Sequence, residues 1–140
     1  MPDKVNRLCF VDTNIWLYAF IEADDANKSA LARKLLQEIE PVISSQVINE
    51  VSVNLLRKAH FSEEQVRQLI ESFFEKYLVV EASKTVFLSD SNLRQRYSLS
   101  YWDSLIVASA LQAGVSVLYS EDMQHGLKVN GQLEIVNPLV

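Results

Sequence analysis

Apolar positions along the chain alternate between short continuous runs and a beat of three or four residues, and the elements follow from that alternation. Leu8, Cys9, Phe10 and Val11 run together and stop at Asp12, which predicts a strand over 8–12 covered on both faces. A short helix follows over 14–21, and Ala30, Leu31, Leu35 and Ile39 give residues 26–39 a helical spacing. "EPVISS" supplies a second strand around Val42 and Ile43, opened by Pro41 where no ladder donor is needed. Ser45 then caps a helix to about His60 whose stripe is Val47, Ile48, Val51, Leu55 and Ala59. The clearest helix begins at Ser62, which forms a capping box with Gln65 and leads into Val66, Leu69, Ile70, Phe73 and Phe74. "YLVV" reads as a third strand, and Ser83 begins a helix through Val86, Leu93 and Tyr97. A further helix from Tyr101 to Ala113 is closed by Gly114, and "VSVLYS" and "LEIV" are the fourth and fifth strands.

Strands alternating with helices, with enough chain between them for right-handed crossovers, predict an α/β fold. The expectation is one domain over residues 1–140: a three-layer sandwich with a mainly parallel five-stranded sheet flanked by helices. Composition agrees, since 3 Gly and 3 Pro in 140 residues are too few for a turn-rich all-β chain. The single cysteine, Cys9, cannot make an internal disulfide, and no apolar run is long enough to cross a bilayer. A cytoplasmic protein with no membrane association is the corresponding expectation.

In parallel sheets ligands bind at the carboxyl ends of strands, near the point where strand order reverses, and four acids fall on that rim. Asp12 closes the first strand, where an N-cap role and a functional role compete evenly. Glu50 leaves from the edge of its helix's buried stripe and is the sole acid between Glu40 and Glu63. Asp103 fits a capping box with Ser100, yet it is the one charge from Leu99 to Ser120 in a helix apolar all round. Asp122 follows the fourth strand, with Glu121 beside it as a competitor for the same position. Like charges gathered this closely repel unless a cation sits among them, and oxygen-only ligands select a hard ion, Mg²⁺ or Mn²⁺. The net charge of −5 disfavours nucleic acid through the overall field, but its location changes the meaning. Setting the four acids aside leaves 14 acids against 13 bases, so the excess is concentrated in the proposed pocket.

"FVDTNIW", "INE", "YWDSLIVASA" and "LYSEDM" together resemble the four acidic motifs of the PIN-domain ribonucleases, in their order and near their usual separations. The similarity spans Leu8 to about Val136, and the chain's size is most like the VapC-type toxins of toxin–antitoxin pairs. The resemblance implies a Mg²⁺-dependent endoribonuclease, a homodimer, and inhibition by a cognate antitoxin that inserts a basic side chain into the acidic pocket.

On this reading Asp12 and Asp103 are the main metal ligands, with Glu50 and Asp122 coordinating directly or through water. Hydrolysis by activated water leaves a 5′-phosphate and a 3′-hydroxyl, with no histidine base. Thr13, Asn14 and Ser120 are candidates for orienting carboxylates or touching substrate, with capping the commoner role for Thr13. Arg94 and Arg96, and also Arg57 and Lys58, are candidate phosphate handles. Tyr97, Tyr101 and Trp102 cluster near Asp103 and suit base stacking, although Trp102 at helical spacing is more often core with Leu105 and Ile106. A phosphatase or phosphotransfer domain is the first rival, disfavoured because Asn14 stands where a second Asp is usual. A housekeeping RNA-processing enzyme and a non-catalytic PIN-like binding module are the others.

Overall fold

Residues 8–21 and 25–140 are described by the computed structural model. Among them, strands β1 (Leu8–Val11), β2 (Glu40–Ser44), β3 (Leu78–Val80), β4 (Val117–Tyr119), β5 (Lys128–Val129) and β6 (Leu133–Val136) form one sheet in the order β3-β2-β1-β4-β6-β5. All pairings are parallel except β5 with β6. Helices α1 (Thr13–Phe20), α2 (Ala26–Glu38), α3 (Ser45–Lys58), α4 (Glu63–Lys76), α5 (Lys84–Arg96) and α6 (Tyr101–Gln112) flank it. None of the described helices is long and apolar enough to cross a membrane.

The sheet therefore has six strands rather than five. The added strand is two residues long, too short for a hydrophobic pattern, and it pairs with β6 through a hairpin. Asn130 and Gly131 both have positive φ (52° and 65°), and Gln132 N–H closes the turn on Val129 O at 3.0 Å. That Asn-Gly pair is a hairpin signal in the sequence itself.

Helix registers show what packing adds to periodicity. Ser44, not Ser45, caps α3, its hydroxyl accepting from Val47 N–H at 3.2 Å. On α2 the buried positions are Ser29 and Ala32, while Ala30 and Leu31 face outward. That face is set by α1, because Ser29 Oγ donates to Ile21 O at 3.2 Å. On α4, Phe73 is buried against Trp16 with ring centroids 5.1 Å apart, whereas its neighbour Phe74 is 49% exposed. The capping box of Ser62 and Gln65 forms as predicted, and α6 is buried continuously from Ser104 to Ala110.

Gly114 follows α6 at φ +74°, and a Cβ there would meet no atom within 4 Å. Gly114→Ala thus isolates the backbone cost of the left-handed conformation, an expected loss of about 1 kcal/mol read as a lower urea midpoint.

Candidate active site

β1 has β2 on one side and β4 on the other, so strand order reverses between β1 and β4. Val11 pairs with Tyr119 in register, and Asp12 N–H donates to Tyr119 O at 3.0 Å. The residues that leave these two strand ends, Asp12 and Ser120, are consequently side by side. Trp16, 2% exposed, holds the junction from below: its Nε1 donates to Val11 O at 3.1 Å.

Asp12 is the N-cap of α1, its Oδ1 accepting from Thr13 N–H at 2.7 Å, and it is also the most buried of the four acids, at 5% exposure. Capping and site roles are not alternatives here, since a carboxylate has about four lone-pair positions and the cap uses one. Ser120 Oγ donates to the other oxygen, Oδ2, at 2.9 Å. Thr13 Oγ1 donates to Glu50 Oε2 at 2.6 Å, and Asn14 Nδ2 donates to Asp122 Oδ2 at 2.5 Å. Each of the three small polar residues thereby orients a different carboxylate. Thr13 is the first residue of α1, so its hydroxyl is not the cap.

Asp103 lies in the first turn of α6, where Ser100 Oγ accepts its backbone N–H at 3.1 Å. Only this hydroxyl half of a capping box forms, which leaves the Asp103 carboxylate outside the box. Asp122 and Glu121, adjacent in sequence, separate in space. Glu121 accepts from Lys28 Nζ and from Tyr18 OH, both at 2.7 Å, and is tied to α1 and α2. Burial raises the Glu121 carboxyl, but these two donors outweigh it and hold the group below the usual range. Asp122 is the one that turns to the site.

The electrostatics register the clustering. Burial pushes the Asp12 carboxyl up to about 6, opposed by the Thr13 and Ser120 hydrogen bonds and reinforced by the negative charges of Glu50 and Asp103. Asp122 is also raised, by burial first and then by Glu121 and Asp103, while Asn14 pulls it down. The carboxylates feel one another without chelating contact: among the described residues no trio of Asp, Glu, His or Cys side chains forms a ready-made metal cage. The chemistry of the donors nevertheless fits a hard cation, being oxygen throughout. Gln46 supports that fit. Its Nε2 donates to Glu50 Oε1 at 3.0 Å, while its Oε1 is a buried oxygen with no hydrogen-bond partner. A buried amide oxygen of this kind takes an ordered water or a cation as its partner. Gln46 was not singled out from sequence, although its position four residues before Glu50 on one helix face was a usable signal.

The basic candidates divide. Arg96 lines a cavity of about 330 Å³ together with Asp103 and Asp122, and its guanidinium donates to Asn130 Oδ1 at 3.0 Å. Lys58 lines a smaller cavity of about 180 Å³ together with Asn14. Arg57 is exposed. Arg94 turns inward instead, pairing with the buried Asp90 and bonding Ser104 Oγ at 3.2 Å. Trp102 is not core: it is 61% exposed, because α6 is covered only from Ser104 onward.

The family model for the PIN domain matches residues 9–126 of the chain. Among solved structures, a toxin–antitoxin complex from Klebsiella pneumoniae is similar with a TM-score of 0.69 at 22% identity, covering 93% of this chain and 97% of that one. The Mycobacterium tuberculosis toxin VapC20, a sarcin–ricin-loop-cleaving protein, aligns with a TM-score of 0.66 at 18% identity over 81% of this chain and 89% of that one. VapBC2 from Rickettsia felis, bound to a DNA fragment from its promoter, gives 0.63 at 18% identity over 91% and 96%. At these identities the likeness is one of fold. No curated protein matches the chain.

Proposed function

The chain belongs to the PIN-domain family, and on that footing we propose that it is a metal-dependent endoribonuclease, the toxin of a toxin–antitoxin pair. One observation carries the proposal: a nearly buried aspartate at the sheet's switch point sits within the field of Glu50 and Asp103, and separate donors orient three of the site's acids. Nothing in a merely structural cluster requires charge to be concentrated where burial makes it costly.

Asp12, Asp103, Glu50 and Asp122 would hold Mg²⁺ or Mn²⁺. A divalent ion bound there supplies neutralisation of phosphoryl charge and a more acidic water for phosphodiester hydrolysis. Ser120 and Thr13 keep the Asp12 and Glu50 carboxylates in fixed rotamers, and Asn14 does the same for Asp122. Arg96, on the wall of the Asp103–Asp122 cavity, offers a phosphate handle. The solved neighbours include toxin–antitoxin complexes, which supports a cognate antitoxin for this chain, and the resemblance to VapC-type toxins implies a homodimer. An antitoxin side chain that enters the anionic site should be basic.

The test is incubation of purified protein with structured and unstructured RNAs, with Mg²⁺ or with EDTA, beside Asp12→Asn. Cleavage that needs the metal and Asp12 is expected; RNA left intact under every metal condition would remove the proposal. A finer expectation concerns Ser120→Ala. Loss of its donor raises the Asp12 carboxyl further and loosens its rotamer, so activity near pH 7 should fall about ten- to a hundredfold. The acidic limb of the pH–rate profile should move to higher pH.

A further inference from the structure

We propose that Trp102, braced by Tyr101, is the stacking platform for one unpaired base of the substrate, at the position next to Asp103. This rests on the ribonuclease reading above. Trp102 and Tyr101 are 61% and 57% exposed, immediately precede Asp103, and meet edge to face with centroids 5.2 Å apart and planes at 75°, so Tyr101 braces the indole rather than extending its face. Large aromatic side chains in the first turn of a helix normally find cover, and these two have little.

The platform is held rigidly from behind. The Arg94 guanidinium lies 4.3 Å from the Tyr101 ring centroid and is itself fixed by the buried Asp90 and by Ser104. From the other side, Gln46 Nε2 donates to Trp102 O at 3.4 Å and to Glu50 Oε1 at 3.0 Å, joining the platform to the acidic site through one amide. Trp102 directly precedes Asp103 in the first turn of α6, so a base held on its ring is bound at the edge of the acidic site. Arg96, in the cavity with Asp103 and Asp122, provides the complementary charge for the RNA backbone. Flat aromatic faces bind every base, but a base within a duplex is stacked on its neighbours and unavailable.

Exposed tryptophan also occurs where proteins dock. Exposed apolar side chains with no polar group of their own, which suit that role, lie elsewhere, at Phe87 and Leu88 near the other end of α5. Leu88 is six positions before Arg94, about 9 Å of helical rise. Beside the pair stand the Asp103 carboxylate, next in the chain to Trp102, and the Arg94 guanidinium against Tyr101, which suits a nucleotide better than an apolar partner.

The chain has two tryptophans, and Trp16 is 2% exposed, so quenching of emission by an added ligand reports on Trp102. With cleavage suppressed by Asp12→Asn, a single-stranded oligoribonucleotide should quench, while its duplex and an abasic strand should not. Trp102→Ala should weaken single-strand binding about tenfold or more and erase the preference over duplex; Trp102→Phe should retain most of both. Unchanged single-strand affinity and cleavage in Trp102→Ala would overturn the platform and leave the ribonuclease reading intact. A shift in oligomeric state with RNA binding unchanged would overturn it in favour of protein docking. Failure of the parent protein to bind or cleave any RNA would instead overturn the ribonuclease reading, and the platform with it.

Discussion

Asp12→Asn should lower metal-dependent cleavage by about a thousandfold and at the same time make the metal-free protein more stable. The first effect follows from removing the most buried of the oxygen charges at the site, where neutralising phosphoryl charge is worth several kcal/mol. The second follows from the raised carboxyl. Asp12 titrates near 6 in the folded chain against an ordinary value of 3.8. Between those values the native state binds more protons than the unfolded one, so stability falls as pH rises. The contribution is complete below about pH 4 and is lost as pH passes through 6. At pH 7 the charged Asp12 therefore costs about 3 kcal/mol. Asn caps a helix as well as Asp does and keeps the oxygen that accepts from Thr13 N–H. The variant should melt about 10 °C above the parent at pH 7 without divalent ion, and the difference should shrink at pH 4. Mg²⁺ or Mn²⁺ should raise the parent's melting temperature and leave the variant's nearly unchanged. If the two proteins melt together at both pH values, the carboxylate is not buried as described.

Arg94→Ala should cost about 3 kcal/mol of stability, the largest loss from any single basic residue named above. Its partner Asp90 is 2% exposed and shares the Arg94 guanidinium with Ser104 Oγ, so truncation leaves a buried negative charge with one neutral donor. Asp90→Asn combined with Arg94→Ala should be less damaging than Arg94→Ala alone, because the uncompensated charge is gone. Chemical denaturation of the three proteins decides it. If Arg94→Ala keeps its unfolding midpoint and loses RNA affinity instead, the guanidinium serves substrate rather than Asp90.

Arg94 also shows where reading the chain alone stops. In sequence it is a cation just before an acidic motif, indistinguishable from Arg96 two residues later. On a helix those two positions point about 200° apart, and packing sends one to Asp90 and the other to the Asp103–Asp122 cavity. Glu121 and Asp122 divide in the same way, one tied to Lys28 and Tyr18, the other to Asn14. Trp102, which at helical spacing suits either the core or a stacking surface, lies outside because the cover of α6 begins two residues later.

What the sequence determined by itself was the set of local interactions: the continuous β1 run, the capping box of α4, the buried α6, the alternation that makes an α/β fold, and three acids at element ends with Glu50 in the second turn of α3. These rest on period and on neighbours within four residues, which a linear chain displays. Tertiary structure alone decided which donor faces which acid, as in Thr13 with Glu50 and Ser120 with Asp12, 37 and 108 residues apart. Such pairings depend on strand order and on helix rotation, and both are fixed by burying the whole core at once.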